Sequence, residues 1–262
     1  MRVPNPAASR TATAVISARG SRVGTRVSKE PRVNFRGGIR QVIGTLLLDL
    51  DGTLVDSVPD LVASVNWLMA SRGLPPFTAP ELAPLVGDGA PALLRKAMQA
   101  RGREAAPADI EAFLADYTAN PAERSRPYPG VPETLAGLQR ARWRMAVCTN
   151  KPEKAARRLL GAVGLLPFFA AIGGGDSFPV RKPDPAHLRA TLEAAGGGEA
   201  VVVGDHRNDV TAARGAGLPC IFALWGYGPA EMAEGALATA SRFEEVPAIA
   251  AGLLGKVSHA QL

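Results

Sequence analysis

Leu46-Leu47-Leu48-Asp49-Leu50-Asp51-Gly52-Thr53-Leu54 is the stretch that decides the fold: an apolar run passes straight into two carboxylates two positions apart and then into a glycine turn. A run so short and apolar predicts a strand buried on both faces of a parallel sheet. Side chains alternate along a strand, so Asp49 and Asp51 leave on one side, at the carboxyl edge where open α/β sheets bind ligands. Two neighbouring carboxylates do not both ionise readily without a cation, so the pair suits either a divalent metal or a division into acid and base. An Asp-Gly turn with incidental acids is the alternative that this stretch alone leaves open.

Outward from this run, short apolar segments alternate with helical ones. Strands are predicted over 44–48, 144–148, 170–172, 200–203 and 220–223, and helices over 152–161, 185–195 and 209–216. The alternation predicts an α/β fold: a doubly wound parallel sheet, Rossmann-like, covered by helices. Thr149 comes 98 positions after Asp51, where a crossover needs only about a dozen. An insert therefore interrupts the core from about 59 to 129. Its apolar spacing predicts helices over 61–72, 79–86, 90–100 and 107–117 with no convincing strand, so it is expected to form a helical cap domain. The core then comprises 43–58 and 130–262.

Three later elements carry polar side chains to strand ends or loops. Thr149 and Asn150 close the second strand ahead of Lys151, Pro152 and Glu153, where a helix begins; this is an anion site or an ordinary helix cap. Lys182 stands in the stiff stretch Arg181-Lys182-Pro183-Asp184-Pro185, where a lone lysine would ordinarily be solvated. Val201-Val202-Val203-Gly204-Asp205 delivers another acid to the sheet edge, and Asp209 follows one helical turn later. One of Asp205 and Asp209 could bind a hard cation directly while the other orients it through water, and Asn208 or Asp209 could cap the helix at the same time.

Composition excludes several classes. Hydrophobic residues make up 47% and charged residues 21%, which is ordinary for a globular chain. No apolar run approaches the ~18 residues that span a bilayer. The net charge of +6 suggests nucleic acid until it is located. Residues 1–40 hold eight Arg and Lys29 against one acid, Glu30, leaving 21 bases and 23 acids in residues 41–262 and no phosphate-backbone footprint. Residues 1–42 are expected to be a disordered basic extension, an overlong start in preference to a transit leader. Cys148 and Cys220 lie in apolar stretches and read as two buried thiols, which suits a cytoplasmic protein.

In order along the chain, Asp49-Leu50-Asp51-Gly52-Thr53, Thr149-Asn150, Lys182-Pro183 and Gly204-Asp205 with Asp209 resemble the haloacid dehalogenase superfamily of aspartate-nucleophile phosphatases. The resemblance covers about residues 44–255. Val55 to Leu61, Val86-Gly87-Asp88-Gly89-Ala90, Arg126 to Val131 and Ile172 to Asp176 are similar to the phosphoglycolate phosphatase branch; His206 departs from it, in a role left open.

That resemblance implies a Mg²⁺-dependent phosphatase acting on a small phosphorylated metabolite, 2-phosphoglycolate in the first instance. Asp49 would be the nucleophile and Asp51 the acid and base. Mg²⁺ would lie among Asp49, the Asp51 carbonyl and Asp205, with Asp209 in support. Thr149 and Asn150 would hold the phosphoryl group and Lys182 would offset its charge. Gly87, Asp88, Gly89 and Arg126 are the candidates to meet the substrate's carboxylate. A sugar phosphate substrate or a phosphomutase competes within the class. A catalytically silent binding protein or a phospho-aspartate signalling module competes from outside it, and either a monomer or a homodimer is expected.

Overall fold

The computed structural model describes residues 43–119 and 122–260, with side chains through 255. The basic extension, 1–42, lies outside the described residues. Six strands form one parallel sheet: β1 (Thr45–Leu48), β4 (Arg144–Cys148), β5 (Ala171–Gly173), β6 (Ala200–Gly204), β7 (Cys220–Ala223) and β8 (Ala238–Ala240). Their spatial order is β5-β4-β1-β6-β7-β8. The chain thus winds outward from β1 to one side, then crosses back and winds to the other.

Alternation along the strands feeds two cores. Leu46, Leu48, Met145, Val147, Val201, Val203 and Ile221 face α5 (Val131–Arg140), α6 (Glu153–Ala162) and α9 (Val246–Ala260). Leu47, Ala146, Cys148, Val202, Cys220 and Phe222 face α7 (Pro185–Ala194) and α8 (Arg207–Ala216). With both faces covered, each strand must be apolar throughout, which is why the sequence pattern was so plain.

The insert contains α1 (Val58–Ser71), α2 (Ala79–Leu82), α3 (Ala90–Ala100) and α4 (Pro107–Ala119). Leu61, Val65, Leu68 and Met69 lie on one face of α1 at helical spacing and meet Leu82, Leu94, Met98, Phe113 and Tyr117 in a third cluster, separate from the sheet's two. The helix expected over 79–86 is shorter: after Leu82 it tightens into a 3₁₀ turn, Ala83–Leu85, because Pro84 has no N–H to continue the α ladder.

Three short strands escaped the sequence pattern. β8 is an edge strand of Ala-Thr-Ala with little strand propensity of its own, held by pairing to β7. The insert's return was expected to hold no strand, but β3 (Arg126–Pro127) pairs antiparallel with β2 (Val55–Asp56). Two residues carry no periodicity, so only their pairing reveals them. Among the described residues no helix is long and apolar enough to cross a membrane.

Beside this ribbon, buried Asp60 of α1 accepts bonds from the main-chain N–H of Arg124 (3.0 Å) and Ser125 (2.7 Å) and from the Ser125 hydroxyl. One carboxylate thereby ties the outgoing and returning chains together. Asp60→Ala strands two amides and a hydroxyl and should cost about 2–3 kcal/mol. Urea unfolding should show a lower midpoint at unchanged slope; an unchanged midpoint would remove Asp60 from that role.

Candidate active site

β4, β1 and β6 are neighbours at the point where the winding reverses, and their carboxyl ends open one crevice. β1 delivers Asp49, β4 delivers Thr149 and Asn150, and β6 delivers Asp205. Gly52 follows Asp51 at φ +86°, and a Cβ there would lie 2.3 Å from an Asp205 carboxylate oxygen, so this turn must be glycine for the two segments to close. Asp205 is held by the Thr53 hydroxyl (3.0 Å) and the Tyr227 amide (2.8 Å).

Carboxylate oxygens of Asp49, Asp205 and Asp209 all lie within 4.8 Å of one another, and all three residues are buried. Lys182, with its side chain 2% exposed, reaches them from the loop before α7. Its Nζ lies 2.6 Å from Asp209 Oδ1, 2.6 Å from the Cys148 carbonyl and 2.9 Å from Asp49 Oδ1. The contact with Asp49 lacks hydrogen-bond geometry, so that buried oxygen has no hydrogen-bond donor. Asp209 also accepts the His206 amide at the start of α8 (3.1 Å), and so holds Lys182 while capping its own helix.

Three carboxylates against one ammonium leave a surplus of negative charge out of water. Burial pushes Asp49 up to about 6, with Lys182 opposing and Asp209 adding. Burial pushes Asp205 up to about 8, with Asp49 and Asp209 adding. Burial alone would lower the Lys182 pKa, but Asp209 and Asp49 together outweigh it and keep the ammonium charged. An all-oxygen cluster with surplus negative charge and an oxygen without a donor fits a hard divalent cation.

The remaining candidates divide. Asp49, Asp51, Thr149, Asn150, Gly87 and Gly89 line one cavity of about 30 Å³, roofed by Leu61, Val86 and Tyr117 of the insert. That volume admits one or two waters. The Asn150 amide spends both N–H bonds on the Gly87 and Lys182 carbonyls (3.0 and 2.9 Å), tying the insert's loop to the lysine's loop. Asp88 does not line the cavity: its carboxylate meets Lys96 (2.5 Å) and Asn208 (2.7 Å). Arg126 is not brought there either, because its guanidinium turns back onto the carbonyls of Glu123 and Ser125 beside the β2–β3 ribbon.

His206 caps α8 by accepting the Asn208 amide at Nδ1 (3.2 Å), and its ring packs so closely on Gly87 that a Cβ there would lie 2.6 Å from it. His187 is buried. Its Nδ1 accepts the Lys182 amide (3.2 Å) and its Nε2 donates to the Gly174 carbonyl (3.0 Å), steadying the lysine's loop. Burial and the Lys182 charge pull its pKa down to about 4, so the ring is neutral. Cys148 and Cys220 are free and buried.

Two residues of the cavity were missed from sequence. Lys151 Nζ lies 3.1 Å from Asp51 Oδ1 and donates to the hydroxyl of Tyr117, which comes from α4. The Ser57 hydroxyl donates to the same Asp51 oxygen (2.5 Å). The only signal was a charged residue between the capping Asn150 and Pro152, which ordinarily marks a solvated helix start.

Comparisons with known proteins agree with this geometry. The sequence profile of the haloacid dehalogenase-like hydrolases matches residues 43–217. A phosphoglycolate phosphatase of Agrobacterium fabrum is 46% identical over 194 residues, 72% of this chain and 83% of the relative. A crystal structure of a predicted phosphoglycolate phosphatase from Haemophilus somnus is 31% identical with a TM-score of 0.72, covering 81% of this chain and 99% of that one. CbbY of Rhodobacter sphaeroides, solved with phosphate and with xylulose-(1,5)bisphosphate, is 28% identical with a TM-score of 0.66, covering 78% and 96%.

Asp49 and Asp205 hold protons in the fold above the ordinary 3.8, so their contribution to metal-free stability is full below that pH and is lost as pH rises through about 6 and about 8. A cation replaces those protons. A magnesium salt at roughly a hundredfold excess over its dissociation constant should raise Tm by about 5–10 °C. At one fixed magnesium concentration the gain should be larger at pH 8 than at pH 6; equal gains would place the ion elsewhere.

Proposed function

This chain belongs to the haloacid dehalogenase-like hydrolases, and from that premise we propose that it is a Mg²⁺-dependent phosphatase converting 2-phosphoglycolate to glycolate and phosphate. The observation that carries this reading is the meeting of Asp49, Asp51, Lys182 and Asp205 at adjacent strand ends beneath a helical insert.

A carboxylate oxygen of Asp49 attacks phosphorus as the bond to the substrate's alkoxide breaks, leaving an aspartyl-phosphate. Asp51 gives the departing alkoxide its proton. The same carboxylate then takes a proton from the water that attacks the aspartyl-phosphate, releasing phosphate and restoring Asp49. Dividing a very slow hydrolysis into two displacements lowers each barrier, and acid–base help is worth typically ~10²–10⁴ in rate. Ser57 and Lys151 hold Asp51 toward the cavity through these steps.

Lys182 faces the nucleophile from a frame of fixed partners, so its charge is aimed before substrate arrives. The Thr149 hydroxyl and the Asn150 main chain would hold phosphoryl oxygens, since the Asn150 side-chain N–H groups are already engaged. Asp49, Asp205 and the Asp51 carbonyl would hold Mg²⁺, with Asp209 behind them; when bound, the ion offsets the repulsion between carboxylate and phosphoryl group.

The insert acts as a cap. We infer that the insert moves about the β2–β3 ribbon to admit substrate and closes over it to exclude water, since its residues roof the cavity that holds Asp49 and Asp51. Main-chain groups of Gly87 and Gly89 face the substrate from the cap. The two buried free thiols support a cytoplasmic setting. The likeness to CbbY favours a sugar phosphate as the second reading.

Phosphate release with Mg²⁺ across 2-phosphoglycolate and a panel of sugar and nucleotide monophosphates tests both readings. We expect 2-phosphoglycolate to lead in kcat/KM and Asp49→Asn to lose at least ~10³-fold with the fold intact. A sugar phosphate in the lead would replace the substrate. Activity surviving in Asp49→Asn would overturn the mechanism.

A further inference from the structure

Hydrolysis needs a nucleophile, an acid and base, donors for the phosphoryl oxygens and a cation against their charge. Asp49, Asp51, Thr149, Asn150 and Lys182 fill those places. Lys151 fills none of them, yet its side chain is 3% exposed and it is the one cation among the residues lining the cavity. Burying an ammonium is costly, so a position that keeps one must repay it through specific partners.

The geometry around it is that of a receptor for an anion. The Lys151 main chain is pinned, its carbonyl accepting the Gly175 amide (2.9 Å). Its Nζ lies 4.2 Å from the Tyr117 ring centroid, and Tyr117 is itself stacked on Phe113 at 5.6 Å. An ammonium only donates, so the Tyr117 oxygen accepts from Lys151 and its own O–H is left to donate. Asp51 accepts from the ammonium through Oδ1 (3.1 Å) and, at longer range, Oδ2 (3.4 Å), and Tyr117 accepts as well, so an entering anion would take the place of the longer Asp51 contact and meet the phenol proton beside it. A carboxylate has two oxygens to accept such a pair, and charge-assisted bonds of this kind are roughly twice as strong as neutral ones. Arg126 and Lys96, two cations of the insert, are bound to Ser125 and Asp88.

We propose that Lys151 and Tyr117 form the subsite that receives an anionic group on the leaving alcohol, and so select a carboxylate-bearing phosphate ester over a neutral one. Lys151 comes from the core and Tyr117 from the insert, so the subsite is complete only when the insert is closed. Recognition of the carboxylate and closure over the phosphoryl group become one event. This inference rests on the phosphatase reading above and assigns its specificity.

The test compares 2-phosphoglycolate with 2-hydroxyethyl phosphate, an ester of similar size whose alcohol portion is uncharged, in wild type, Lys151→Gln and Tyr117→Phe. The ratio of the two kcat/KM values should fall about 10- to 100-fold in Lys151→Gln. It should fall less in Tyr117→Phe, which keeps the ring stack and carries the test if the lysine variant does not fold. Equal losses on both esters would assign Lys151 to Asp51 or to the fold and overturn the inference, as would a wild type indifferent to the carboxylate. If wild type releases phosphate from other esters but not from 2-phosphoglycolate, the substrate assignment fails separately. The ratio for 3-phosphoglycerate against glycerol 3-phosphate then tests the subsite, and an unchanged ratio in the variants overturns it.

Discussion

A surplus of buried negative charge organises this protein. Asp49, Asp205 and Asp209 share a volume from which water is largely excluded, and Lys182 alone among the described side chains answers all but Asp205. Such an arrangement is costly in an isolated fold, and the cost appears as carboxyls that retain protons toward neutral pH. It becomes favourable once a cation enters. The site is therefore built for a partner it does not itself supply, and the surrounding structure keeps the carboxylates from moving apart.

Much of the fold serves that confinement. Asp49 and Asp205 end adjacent strands whose registers are fixed by two sheet faces packed against helices. A one-residue slip in either strand would exchange the side chains packed in the two cores, so the packing that stabilises the sheet also sets the spacing of the acids. Lys182 is fixed as firmly. His187, neutral and buried, holds its amide, Asn150 holds its carbonyl, and Asp209 holds its ammonium. Each of these partners comes from a different element, so no single loop motion can displace the charge.

The insert roofs the site. Gly87 allows the His206 ring to pack against its backbone, while Asn150 and Asn208 bind the same loop from the core. Opposite, Tyr117 reaches Lys151. The insert thus touches the core through groups that surround the cavity, and the ribbon and the Asp60 clasp attach it.

The sequence alone determined five of the sheet's six strands, three of the five helices that cover it, the insertion between Asp51 and Thr149 and the order of Asp49, Asp51, Thr149, Asn150, Lys182 and Asp205. Strands buried on both faces must be apolar, and polar residues that end them stand out against that background. Only the tertiary structure decided what depends on contacts between distant segments. β3 and β8 are too short to carry a period. Arg126, attractive for its charge, turns back onto its own chain, and Asp88 pairs with Lys96. Lys151 looked like an exposed residue at a helix start and became a buried cation because α4, 34 positions away, lays Tyr117 across it. Burial belongs to the whole fold, and the meaning of a charged side chain changes with it.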